Sequence, residues 1–68
     1  KYYIDKALLE GVIDYRSNPN KALWKQSGAE IGDISGLKSH EAVSDKLFEL
    51  SQTEGGSEFQ VQLKAYYN

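Results

Sequence analysis

His40 is the only histidine of the chain, and Glu41, Asp45 and Glu49 follow it at spacings of one, four and four residues. A histidine beside carboxylates is a side-chain set for general acid–base catalysis, and grouped carboxylates can hold a hard cation. The spacing argues against both. Residues four apart on a helix stand one above another, so these carboxylates form a stripe that splays outward and encloses nothing. No Gly-x-Ser-x-Gly, zinc-ligand or phosphate-loop spacing accompanies His40. The glycines at 28, 32 and 36 lack the strand before and the lysine after that a nucleotide loop needs. The chain has no cysteine, which removes disulfides and thiolate metal sites. The sequence therefore predicts no catalytic, cofactor-binding or metal-ligating residues. The stripe reads as a solvated face suited to a basic partner.

These residues must be carried by a very small framework. Sixty-eight residues make one domain, spanning 1–68. A chain of this size buries only about 60% of the surface that its unfolded form exposes. Compact packing or association with another chain must supply what disulfides and metals do not. Net charge is −2, with eight basic and ten acidic residues and Arg16 as the only arginine. Nucleic-acid domains carry a basic excess or a basic face, and neither total nor pattern supplies one. No apolar run approaches the roughly 20 residues that a membrane span needs.

The element that carries the stripe is the best-marked helix. Ser39 is a cap residue, and Val43, Leu47 and Leu50 recur at four and three residues, which predicts a helix from Ser39 to about Gln52. An earlier helix is expected after Asp5 as its cap, with Leu8, Leu9, Val12 and Ile13 on its apolar face, Tyr15 extending it and Gly11 inside. Lys1–Ile4 reads as a strand or as the lead-in to that helix. Ser17-Asn18-Pro19-Asn20 is the strongest break. Lys21–Gln26 can start a short helix capped by Asn20, with Trp24 in the core. Residues 27–37 read as an irregular loop or a short helix over Ala29–Ile34. Thr53-Glu54-Gly55-Gly56-Ser57 is a turn. Beyond it Phe59, Val61, Leu63, Ala65 and Tyr67 alternate with polar residues, which predicts a strand over Glu58–Tyr67.

The segment 29–50 resembles the helix-turn-helix of winged-helix proteins. The matching residues are Ala29-Glu30-Ile31, Gly36-Leu37, Val43, Leu47 and Leu50, with the strand from Phe59 in the place of a wing strand. The resemblance implies a DNA-binding or transcription-regulating domain, with a DNA-facing role for Lys38, Ser39, His40 and Ser44. Against it, the same helix carries acids where phosphate-binding side chains are expected.

The aromatics add a contact surface. Tyr2, Tyr3, Tyr66 and Tyr67 sit at the two ends, and would form one patch if the ends paired as strands. Tyrosine suits both an interface and the core of a small domain. Phe48 lies off the apolar stripe, either under the strand or half exposed as an anchor. The expected fold is α+β: two to three helices with a C-terminal β-strand, paired in part with a short N-terminal strand, a winged-helix-like arrangement being the alternative. The expected function is a non-enzymatic protein-binding module, an acidic adaptor, inhibitor or immunity-type protein. Its contact residues would be Glu41, Asp45, Glu49, Phe48, Tyr66 and Tyr67, and its partner a protein with a basic surface. An open strand edge would favour a homodimer or a strand-pairing partner; nucleic acid and membrane are not expected.

Overall fold

A glycine decides where the first helix ends. Gly11 adopts a left-handed conformation, φ 78°, and closes α1 (Tyr2–Glu10) as its C-cap. An L side chain rarely enters that region, so glycine is the residue that fits. Gly11 is therefore the stop of the helix and does not lie inside it, and Val12 and Ile13 leave on an extended path. The computed structural model describes residues 1–53 and 55–67. After α1 come β1 (Ile13–Asp14), β2 (Lys21–Trp24), β3 (Glu30–Asp33), α2 (His40–Ser51) and α3 (Ser57–Tyr66). No helix among the described residues is long and apolar enough to cross a membrane.

The α+β class expected from the sequence holds, with the helices and strands distributed differently. The strands form an antiparallel sheet in the order β1-β2-β3. Lys21–Trp24 is its central strand, where a short helix was expected. Its burial alternates, with Ala22 and Trp24 buried and Lys21 and Leu23 half-buried. Four residues after a proline give a helix little to propagate on, whereas a strand here gains a neighbour on each side. Ala29–Ile34 is likewise extended: Glu30–Asp33 is β3. The tip of the Leu50 side chain from α2 lies over Gly32, in the space that a Cβ would take.

The C-terminal segment is the main correction. Ser57–Tyr66 is a helix, and no strand runs over Glu58–Tyr67. Phe59 and Leu63 are buried, while Val61, at 67% exposure, and Ala65 face solvent. Residues four apart satisfy a period of two and a helical period alike, so Phe59 and Leu63 support either reading. Gln, Leu, Lys and Ala are good helix formers, and a helix satisfies its own backbone groups where a lone strand would not. The strand-pairing role assigned to this segment falls with it. Lys1–Ile4 is not a strand either, because α1 starts at Tyr2 with Asp5 in its first turn and Lys1 as N-cap. Leu9, expected inside, is 78% exposed; the buried face is Ile4, Ala7 and Leu8.

α2 matches its expectation closely. Ser39 is extended, φ −87° and ψ 151°, and its side chain accepts from the Ala42 N–H at 3.1 Å. Val43, Ser44, Leu47 and Ser51 form its buried face. There is no helix-turn-helix before it: Glu30-Ile31 belongs to β3, and Ser44 is 1% exposed. The winged-helix arrangement is thus not the one formed. Glu54 of the expected turn lies outside the described residues. The core joins Ile4, Ala7 and Leu8 of α1 to Ile13, Ala22, Trp24 and Ile34, with Val43, Leu47, Phe59 and Leu63 closing it.

Candidate functional site

The aromatic side chains collect where the start of α1, the second half of α2 and the flank of α3 meet. Tyr2 is 68% exposed, and Tyr3, Phe48 and Tyr66 are 40%, 40% and 42% exposed. Tyr2, Tyr3 and Phe48 border a groove of about 230 Å³. Ile4, Phe59 and Leu63 give its apolar floor, and Gln52, Gln60 and Lys64 its polar margin. Phe48 stands there because it lies one helical position from Leu47, at the edge of the buried face of α2. It is therefore the half-exposed anchor of the two roles open to it from the sequence.

Tyr66 and Tyr67 are consecutive and diverge. Tyr66 stacks on Trp24, centroids 5.4 Å apart and planes at 11°, and its hydroxyl donates to Gln26 Oε1 at 3.1 Å. Tyr67 stacks on Tyr3 at 5.3 Å and 16°, and its hydroxyl donates to Glu10 Oε1 at 3.0 Å. Burial first, and then the bond to Glu10, push the Tyr67 phenol up to about 12. Lys6 Nζ lies 5.4 Å from the Tyr67 ring and 5.8 Å from the Tyr2 ring. Tyr2, Tyr3 and Tyr67 thus gather as the sequence suggests, through packed helices rather than paired strands.

The acidic stripe is exposed but not uniform. Asp45 is ion-paired with Lys1, and Glu49 lies 3.9 Å from Lys46. Glu41 has no ion-pair partner among the described residues. On a helical projection Glu41, Asp45, Phe48 and Gln52 share one side, with Glu41 in the first turn of α2 and the groove at the end of α2, and Glu49 stands at the centre of the solvent face. The Lys1–Asp45 contact joins residues 44 apart and left no signal in the sequence.

A second polar cluster lies between α1 and α2. Asp5 accepts from the Ser44 hydroxyl, and His40 Nε2 is 3.3 Å from Asp5 Oδ1. The Ser44 bond first, and then His40 nearby, hold the Asp5 carboxyl below its usual range. Serine, histidine and aspartate are present, but the carboxylate sits in the middle and holds both. A nucleophilic serine needs the histidine beside its hydroxyl. Here that hydroxyl is buried and bonded to the carboxylate, so the cluster fastens two helices. Among the described residues no grouping of His, Asp and Glu could hold a metal ion.

Compared with known proteins, the chain matches no family model, no curated protein and no solved structure.

Proposed function

We propose that the chain is a non-enzymatic protein-binding module whose contact surface is the aromatic groove with the acidic margin of α2. The observation that carries this reading is the clustering of exposed aromatics, Tyr2, Tyr3 and Phe48, around one apolar-floored groove, with Glu41 and Asp45 earlier on the same side of α2 as Phe48. Large rigid rings supply contact area at low entropic cost, and interfaces are enriched in them. A fitting partner places an apolar side chain in the groove and lysines or arginines on Glu41 and Glu49. Electrostatic attraction would then steer the encounter while the groove supplies the holding energy.

The experiment compares the immobilised wild-type domain with two surface variants, Phe48→Ser with Tyr2→Ser, and Glu41→Lys with Glu49→Lys, all shown to be folded by circular dichroism. One protein retained by wild type, lost from both variants and released by salt supports the reading. Equal retention on all three, or nothing beyond the bare matrix, overturns it.

A further inference from the structure

A cavity of about 270 Å³ opens between two connections of the sheet. One wall is the segment between β1 and β2, which supplies Tyr15, Arg16, Pro19 and Asn20. The other is the segment between β3 and α2, which supplies Leu37 and Lys38. Local bonds fix both walls. Asp14 Oδ1 accepts from the N–H groups of Arg16 at 2.9 Å and Ser17 at 3.1 Å, and Asn18 Oδ1 accepts from the Asn20 N–H at 2.9 Å. Opposite, the Leu37 N–H donates to the Ile34 carbonyl at 2.9 Å, a turn that Gly36 permits with φ 80°. The Ile34 N–H donates to the Asn20 carbonyl at 2.9 Å and ties the two walls together.

The charge on these walls is of one sign. Arg16 and Lys38 line the cavity, and no aspartate or glutamate does. Neither cation has an ion-pair partner among the described residues. The acids that flank the walls in sequence are turned elsewhere. Asp14 holds its own turn, and Asp33 accepts from the Ser35 N–H at 2.8 Å and hydroxyl at 2.6 Å. The cations that act on them are Lys25 for Asp14, and Lys21 and Lys46 for Asp33. Glu41 lies in the first turn of α2 and makes no ion pair with Lys38. Arg16 is positioned by Tyr15: its guanidinium carbon is 5.3 Å from the ring, and one of its N–H groups donates to the hydroxyl at 3.4 Å. The other guanidinium N–H groups, the Lys38 ammonium, the Tyr15 hydroxyl proton and the Asn20 side-chain amide remain as donors.

We propose that this cavity binds an aryl phosphate, the chemistry of a phosphotyrosine side chain. A phosphomonoester carries about −1.5 to −2 charges near pH 7, which matches two cations, whereas a carboxylate brings one charge. The guanidinium grips phosphate oxygens as a fork and the ammonium meets them as a point charge. The ring that carries the phosphate then lies against Pro19, Leu37 and the edge of Tyr15, an apolar surface that the short stem of phosphoserine leaves uncovered. A volume of about 270 Å³ is below the roughly 300–1,000 Å³ of pockets for drug-sized ligands, so one ring and its phosphate fit better than a whole nucleotide. The local excess of donors also explains how a chain of overall charge −2 takes an anion here.

The test is an amide NMR titration of the whole chain at constant ionic strength with phenyl phosphate, inorganic phosphate and phenol, and then with acetyl-Gly-phosphotyrosine-Gly-amide. Phenyl phosphate should give saturable shifts at the Asn20, Leu37 and Lys38 amides. Inorganic phosphate and phenol should each bind at least tenfold more weakly. These arms use the unmodified domain, so they do not depend on how a variant folds. Affinity should also fall at least tenfold in Arg16→Gln with Lys38→Gln, both exposed positions. A peptide that binds more tightly than phenyl phosphate assigns the ligand to a partner protein, and one that does not assigns it to a free aryl phosphate; either supports the site. Three results overturn the proposal: inorganic phosphate as tight as phenyl phosphate, which would mark general anion attraction; shifts that do not saturate or that fall on other elements; or unchanged affinity in the double variant. The aromatic groove shares no lining residue with this cavity, so the two readings succeed or fail separately.

Discussion

Tyr3 and Tyr67 stack nearly face to face, 5.3 Å between centroids and 16° between planes, and so tie the first turn of α1 to the residue that caps α3. The Tyr67 hydroxyl then reaches along α1 to Glu10 at 3.0 Å. One side chain thus spans α1 from near its start to its last residue.

This contact has a pH signature. The folded-state phenol of Tyr67 is raised from 10.0 to about 12, by burial first and by Glu10 second. A raised tyrosine contributes stability that is complete below the unfolded value and is lost as pH climbs through the folded one. Stability should therefore decline between pH 10 and 12. Ultraviolet titration should show a phenol ionising near 12 that is missing in Tyr67→Phe, whose alkaline decline should also be shallower.

The α3 assignment makes opposite predictions for neighbouring residues. Leu63→Ala should cost about 2–5 kcal/mol and Phe59→Ala about 3–5 kcal/mol, each leaving a cavity in a small core. Val61→Ala should stay within about 0.5 kcal/mol, as exposed positions do. Urea denaturation followed by circular dichroism gives the comparison. A large loss at Val61 would restore the strand that the alternating pattern suggested.

Asp14 should govern the acid limb. The Ser17 side chain, and then the N–H groups of Arg16 and Ser17, hold its carboxyl at about 2, below the ordinary 3.8. A depressed carboxylate contributes stability above its unfolded value and loses it as pH falls through the folded one. The loss belongs between about pH 4 and pH 2. Asp14→Asn should flatten the stability profile in that window; an unchanged profile would show that the turn after β1 does not depend on this carboxylate.

Ser39→Ala should destabilise by about 0.5–2 kcal/mol, the usual range for a lost N-cap. Ser39→Asp should retain most of the stability, because an aspartate can accept from the same N–H. Melting curves of the two variants separate capping from a generic effect at this position.

α2 was legible because every local signal agreed. Ser39 caps it, Val43 and Leu47 repeat at four, and Glu41, Asp45 and Glu49 occupy the opposite side. α3 was illegible because Phe59 and Leu63 are four apart, a spacing that both periodicities share. Gln, Leu, Lys and Ala as helix formers, and a backbone that a helix satisfies by itself, decide for the helix. β3 carries no alternation at all, since Ile31 and Gly32 are both half-buried, and only its pairing with β2 and the approach of Leu50 make it a strand. The site shows the same division. Phe48 and the tyrosines could be named from composition and position, but the groove between them needed the helix packing. Asp5, Ser44 and His40 meet across 39 residues of chain, so no local pattern announced them.

Trp24, the single tryptophan, lies against Phe59 at 5.7 Å and Tyr66 at 5.4 Å, both from α3. Its indole is thus an optical gauge on one joint of the molecule, the seat of the last helix on the central strand. Emission at tryptophan wavelengths will follow the departure of α3, whereas far-ultraviolet dichroism averages over every helix. If the two signals part company on heating, the last helix lifts off before the rest melts; if they coincide, a chain this small loosens all its joints together.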